Sequence, residues 1–185
     1  MQSVLHDLRA LMPNRPLGFA ESIRVAELQA NRLLQWREVE GPPVPDDLVS
    51  KFPRVQVETI SPFGVSGATT WSDGRWQILL NGDESLNRQK FSSVHELKHV
   101  IDSPFVEVAY PSVRGVSSAD RQEQIADHFA ACVLMPRRWV KRAWGNGTQD
   151  VRDLARLFGV SREAMRYRLA NLGLVERTVR CEVAA

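Results

Sequence analysis

Residues 95–99 read His-Glu-Leu-Lys-His, and they constrain this chain more than any other segment does. They lie in a stretch without Gly or Pro, residues 88–103, whose apolar residues recur at helical spacing. Residues four positions apart lie on one face of a helix, so both imidazoles can reach one metal ion, with the glutamate at the edge of that face. The alternative is a pair of ordinary core or surface histidines beside an exposed glutamate.

An acidic pair, Glu123 and Asp127, lies on the next predicted helix, residues 119–135, at whose start Ser117 and Asp120 have the pattern of a capping box. A catalytic zinc ion has three protein ligands and a fourth position for water, so Glu123 is the candidate third ligand beside His95 and His99. Asp127, one turn later, is the candidate partner for the outer ring nitrogen of a ligand histidine. An ordinary solvated acidic pair is the alternative, but the apolar neighbours favour burial, and buried carboxylates need a metal or another partner.

The rest of the chain predicts a mixed α+β fold, with a small antiparallel sheet packed against the two motif helices. Periodicity and turn residues assign the other segments: a helix over 19–36; strands over 55–60, 68–71 and 76–80, the last two joined by an Asp-Gly hairpin; a surface loop over 105–118; and two short helices over 151–158 and 162–172.

Length and composition place the chain among compact domains. It has 185 residues, 43% of them hydrophobic, enough for one domain with a small appendage. No apolar run approaches the roughly 18 residues of a membrane helix, and no signal segment is apparent. The two cysteines, Cys132 and Cys181, are too few for a disulfide framework. We therefore expect a soluble cytoplasmic protein without membrane contact.

The C-terminal quarter is basic. Residues 137–180 hold eleven Arg or Lys against four Asp or Glu, although the whole chain has a net charge of only +2. Such a block is typical of a nucleic-acid surface, but it equally suits a solvated or docked helical face.

Within this quarter, residues 151–174 have the pattern of a helix-turn-helix, with Gly159 at the turn. If the segment binds nucleic acid, Arg162, Arg166 and Arg168 are the expected contacts. We favour a scaffold or substrate-docking role, in which the arginines are solvated.

Two segments of the chain resemble the ImmA/IrrE metallopeptidases. Residues 88–91, Arg-Gln-Lys-Phe, lead into the His-Glu-Leu-Lys-His motif, and residues 123–131 run on to Leu-Met-Pro at 134–136. The family pattern is an arginine-phenylalanine approach to H-E-x-x-H, then E-x-x-A-(N/D)-x-F-A and L-M-P. The resemblance is strong over residues 50–136. One departure is Lys98, where many relatives have glycine, at a position that binds no metal.

The resemblance implies a zinc-dependent intracellular endopeptidase that cleaves a helix-turn-helix transcriptional repressor. His95, His99 and Glu123 would bind Zn²⁺, Glu96 would be the catalytic base, and Asp127 would support a ligand histidine. The residues alone do not identify the group that would stabilise the oxyanion besides zinc: Tyr110, His128 and the arginines are equal candidates, although we expect a structural or surface role for His128. The strand over 76–80 would pair with an extended substrate.

We expect three parts along the chain: an N-terminal helical segment (1–49), a zinc metallopeptidase core (50–144), and a helix-turn-helix-like segment packed on the core (145–185). The alternative function is a DNA-binding or partner-binding regulator with a non-catalytic zinc site. Three ligands beside Glu96 favour catalysis, because structural zinc sites are normally closed by four protein ligands.

Overall fold

A computed structural model describes residues 3–176. Cys181 lies outside this range. The elements in chain order are α1 (Val4–Arg9), α2 (Phe19–Trp36), β1 (Val55–Ile60), β2 (Gly67–Ser72), β3 (Arg75–Asn81), α3 (Leu86–Asp102), α4 (Val106–Ala109), α5 (Ser118–Leu134), α6 (Arg137–Gly145), α7 (Val151–Phe158) and α8 (Arg162–Asn171). Among these described helices, none has the length and apolar character needed to span a membrane.

The three strands form one sheet in the order β1-β3-β2. β2 and β3 form the predicted antiparallel hairpin, whereas β1 pairs with the far side of β3 in a parallel register. The α+β class is therefore confirmed, but the sheet is mixed and the prediction of an antiparallel sheet is wrong. The sequence could not give this direction, because a half-buried strand alternates with a period of two residues in either orientation.

β3 is the central strand, so the prediction that residues 76–80 pair with a substrate is wrong. β1 and β2 occupy its two edges. The outer edge of β2 has no strand beside it in the described part of the chain. The Asn81 amide donates to the Ser66 carbonyl at 3.1 Å, and the alternation of an antiparallel ladder then turns the backbone groups of Gly67, Thr69 and Trp71 toward that outer edge.

Each motif helix begins directly after a residue whose side chain caps it. Ser85 caps α3 through the Arg88 amide, and Ser117 and Asp120 form the predicted capping box at the start of α5. α5 packs against both α2 and α3, and α3 also contacts β2 and β3. The sheet and α5 therefore flank α3 and position its motif residues.

α7 and α8 share the main core. Gly159 makes the turn between them in the left-handed conformation (φ 62°), and Leu154 and Leu169 are fully buried. Arg168 is only 3% exposed, and its Nε donates to the Met135 carbonyl at 2.9 Å. The prediction that Arg168 contacts nucleic acid is therefore wrong, because its guanidinium anchors α8 to the end of α5.

Three described helices have no counterpart in the sequence prediction: α1, α4 and α6. α4 lies inside the predicted loop 105–118, where a single turn of four residues is too short to show helical periodicity. α1 has six residues, which is also short for a periodicity argument, whereas α6 has nine, one more than the predicted helix over 151–158, and was missed although its length would have allowed a prediction.

A buried polar network lies on the side of α3 that faces α2. Lys98 is 1% exposed, and its ammonium lies 2.6 Å from both carboxylate oxygens of Asp102 and 2.8 Å from Oε1 of Gln29. The Tyr110 hydroxyl donates to Asp102 at 2.6 Å, and the Gln29 amide donates to the Leu8 carbonyl at 3.0 Å. The network joins α1, α2 and the segment after α4 to α3, the helix that carries the motif histidines.

We predict that Lys98→Ala lowers the free energy of unfolding by about 3–5 kcal/mol, because it leaves the Asp102 carboxylate buried without its cation. Denaturant titration measures the change. Lys51→Ala is the matched control: it breaks an exposed pair with Asp47 (2.7 Å) and should cost less than about 1 kcal/mol. Equal losses in the two variants would contradict the prediction.

Candidate metal centre

Three donor atoms converge between α3 and α5. Nε2 of His95 lies 3.1 Å from Nε2 of His99 and 3.2 Å from a carboxylate oxygen of Glu123. Nε2 of His99 lies 3.3 Å from the other Glu123 oxygen. α3 supplies the two imidazoles one helical turn apart, and α5 brings the carboxylate to them. Among the described residues, this group is the one that could hold a metal ion.

The spacing of the donors fits zinc. A tetrahedral ion with bonds of about 2.0–2.1 Å separates neighbouring ligand atoms by about 3.3 Å. The two imidazole nitrogens lie 3.1 Å apart, close to that value, and each lies 3.2–3.3 Å from a different oxygen of Glu123. The side chains of Glu123 and Asp127 are 62% and 61% exposed, so the prediction that this pair is buried is wrong. The group opens toward solvent on one side, where a fourth ligand could enter.

Asp127 orients the first histidine. Its Oδ1 lies 2.9 Å from Nδ1 of His95, so Nδ1 carries the proton and donates it, and Nε2 keeps a free lone pair facing His99 and Glu123. Burial alone would lower the pKa of His95, but the hydrogen bond and the charges of Asp127 and Glu123 outweigh burial and raise it. Burial, together with the charge of His95, lowers the pKa of His99.

Glu96 lies beside the donors but is held by the sheet. It is 8% exposed, and the Thr69 hydroxyl of β2 donates to its Oε2 at 2.6 Å. A Cβ atom at Gly67 would lie 2.9 Å from Oε1, so the absence of a side chain at Gly67 makes room for the carboxylate. Glu96 lines the same cleft as His95 and Glu123. The cleft thus holds Glu96 beside two of the three metal donors.

The structure brings together the five residues that the sequence predicted for the site, His95, Glu96, His99, Glu123 and Asp127. It separates two of the candidates for stabilising an oxyanion from them. Tyr110 is buried against Asp102, and the His128 ring lies against Cys132 (3.3 Å). Sequence reasoning missed Thr69 and Gly67. A glycine within a strand signals close approach of another group, and that was the available sign at Gly67.

Comparison with known proteins gives one family and a set of similar folds. Residues 53–170 match the peptidase family described as the IrrE N-terminal-like domain. Among matching solved structures is a Mycobacterium tuberculosis transcriptional regulator, 17% identical, with a TM-score of 0.65 over 91% of this chain and 52% of that one. This chain thus spans about half of that protein, and the likeness concerns the fold alone. No curated protein matches.

We predict that, in the metal-free protein, the pKa of His95 lies above the ordinary histidine value and the pKa of His99 lies below it. Asp127→Asn removes the charge that holds the proton on His95 and should lower the pKa of His95. NMR titration of the imidazole resonances measures both values. The reverse order, or a His95 pKa unmoved by Asp127→Asn, would contradict the geometry.

Proposed function

The chain belongs to the family of IrrE N-terminal-like domains, which its residues 53–170 match, and from this premise we propose that it is a zinc-dependent endopeptidase. Membership assigns a metallopeptidase-type or regulator function. The observation that carries the finer proposal is the position of Glu96, a buried carboxylate beside the donor atoms of His95, His99 and Glu123 but separate from them. A fourth ligand would close the site, whereas a free carboxylate there suits a proton carrier.

In this proposal Zn²⁺, held by His95, His99 and Glu123, would supply Lewis-acid chemistry to a water molecule and a peptide carbonyl. Glu96 takes a proton from the attacking water as its oxygen forms a bond to the carbonyl carbon. Glu96 then delivers that proton to the amide nitrogen as the carbon–nitrogen bond breaks. The Thr69 hydroxyl donates a hydrogen bond to Oε2 of Glu96, so Oε1 is the oxygen that carries the proton. Asp127 keeps the His95 ring in the metal-binding orientation.

The substrate in this proposal is an extended protein segment that pairs with the outer edge of β2. The backbone groups of Gly67, Thr69 and Trp71 face that edge, and Thr69 and Gly67 also contact Glu96. A peptide added as a strand there would pass over the donor atoms. Gly67 and Thr69 therefore belong to the peptide-binding edge and also hold the proton carrier, Glu96, in place.

The family resemblance supports a helix-turn-helix transcriptional repressor as this substrate, and its cleavage would relieve repression. Such a substrate would place the activity in the cytoplasm. The similar solved structure is named a transcriptional regulator, which also supports a regulatory setting.

A second candidate function is nucleic-acid binding by the basic C-terminal helices. The observation that favours it is the exposure of Arg162 and Arg166 on one helix, α8. It predicts a DNA complex that weakens steeply with salt and is lost when both arginines are changed to alanine. The buried position of Arg168 removes one of the three contacts that this function would use.

We predict that Glu96→Gln and Glu123→Ala separate metal binding from cleavage. Glu96→Gln keeps about one zinc ion per chain, because the three ligands remain, and lowers cleavage by about 10²–10⁴-fold, because the proton carrier is lost. Glu123→Ala loses most of the zinc. Elemental analysis gives the metal content, and mass spectrometry of a proteome-derived peptide library gives the cleavage rate. Wild type that binds no zinc when supplied with it would refute the proposal.

We further predict that Gly67→Ala lowers cleavage at least about tenfold without loss of zinc, because the new methyl group displaces the Glu96 carboxylate. Stability should change little, because the displaced atom is the end of a flexible side chain. Gly64→Ala is the control, since a Cβ there meets nothing within 4 Å. Equal cleavage by the two variants would show that the position of Glu96 does not matter.

A further inference from the structure

A second cavity, of about 340 Å³, opens where α8 meets α3 and α5. Three helices and the turn before α8 contribute to its walls, which hold six apolar residues and five polar or charged ones, Asn87, Arg88, Asp127, Ser161 and Glu163. The apolar lining residues are Phe91, Ala131, Met135, Val160, Ala164 and Tyr167. The volume lies at the small end of the range for ligand pockets, which suits one or two side chains rather than a whole cofactor.

This cavity adjoins the cleft of the metal centre. Arg88, Phe91 and Asp127 line both spaces, and the cleft also contains His95, Glu96 and Glu123. Asp127 is the residue that orients His95, so the cavity begins one side chain away from the metal donors. A peptide bound across the donors would therefore have the mouth of this cavity beside it.

We propose that the cavity receives a large apolar side chain of the peptide substrate, so that α8 is a wall of the substrate site. The inference rests on the proposed function, because it takes a peptide as the occupant. An aliphatic or aromatic side chain matches the lining of Phe91, Met135 and Tyr167, and Tyr167 is 66% exposed without such an occupant.

The way α8 packs supports this assignment over a nucleic-acid role. Ala164 and Tyr167 line the cavity, while Met165, Arg168 and Leu169 are buried against the core. Part of the first two turns of α8, which enter the DNA groove in a helix-turn-helix, lines this cavity beside α3 and α5, while Arg162 and Arg166 stay exposed. The arrangement explains why the segment has the pattern of a helix-turn-helix yet packs beside the metal centre.

Peptide binding by the non-cleaving, zinc-loaded Glu96→Gln protein tests the inference without relying on catalysis. The probe is a display library of random ten-residue peptides. We expect the selected peptides to share a large aliphatic or aromatic residue at one position. Adding Ala164→Trp, which fills the cavity, should weaken the best peptide at least about tenfold, in the range expected when an apolar pocket is lost.

Two further variants guard against misfolding and nonspecific effects. Ala20→Trp makes the same substitution at an exposed helical position outside the cavity and should leave peptide binding unchanged. Tyr167→Ala removes one wall without filling the space and should also weaken the peptide or shift its preference. Zinc content and thermal melting verify the fold of each variant.

The outcomes separate the inference from the proposed function. Peptides that bind and are cleaved equally well with Trp at position 164 would overturn the inference and leave the endopeptidase proposal standing. Apolar peptides that depend on Ala164 but are not cleaved by wild type would support the pocket and count against catalysis. A selection that enriches no peptide, or one whose enriched position is not apolar, would overturn the inference.

Discussion

The packing of α3 against α5 is the contact on which the metal centre depends. One helix can present two imidazoles to an ion at a spacing of four residues, but a third ligand must come from another element. The α3–α5 interface supplies it by placing Glu123 beside His95 and His99, with fully buried Leu97, Ile125 and Phe129 in the core between the elements. Asp127 extends the same interface to the outer nitrogen of His95. The apolar core therefore sets the distances between the donors.

Two other contacts complete the geometry around α3. On the sheet side, Thr69 and the open space at Gly67 fix the Glu96 carboxylate. On the α2 side, Lys98 and Asp102 form a buried pair that is satisfied by Gln29 and Tyr110. One face of the helix thus presents the donors, another holds Glu96, and a third anchors the helix. A helix with so many fixed side chains has little freedom to rotate, which suits a preorganised site.

The sequence predicted those parts of the structure that depend on local pattern. The bounds of α2 and β1, the capping box of α5 and the turn at Gly159 follow from periodicity and capping, and the structure has them. The site residues followed from motif spacing on two helices. Family membership, first indicated by the segments around residues 95–99 and 123–136, is confirmed.

What the sequence could not predict depends on contacts between distant segments. The parallel pairing of β1 with β3, and hence the free edge on β2, does not change the alternation of apolar and polar residues along a strand. Lys98 and Arg168 belong to residue types that are usually exposed, yet both are buried. Each has a partner on another element or far along the chain: Gln29 for Lys98 and the Met135 carbonyl for Arg168. The cavity beside α8 likewise arises from three separate elements.

The most direct measurement is an anomalous difference map at the zinc absorption edge, from crystals of the protein grown with zinc. The arrangement predicts one ion per chain, bonded to Nε2 of His95, Nε2 of His99 and Glu123, with Glu96 close by but outside bonding distance. An ion bonded to Glu96 as a fourth protein ligand, or one that binds elsewhere and leaves this group empty, would contradict the central claim that these residues form an open, catalytic metal centre.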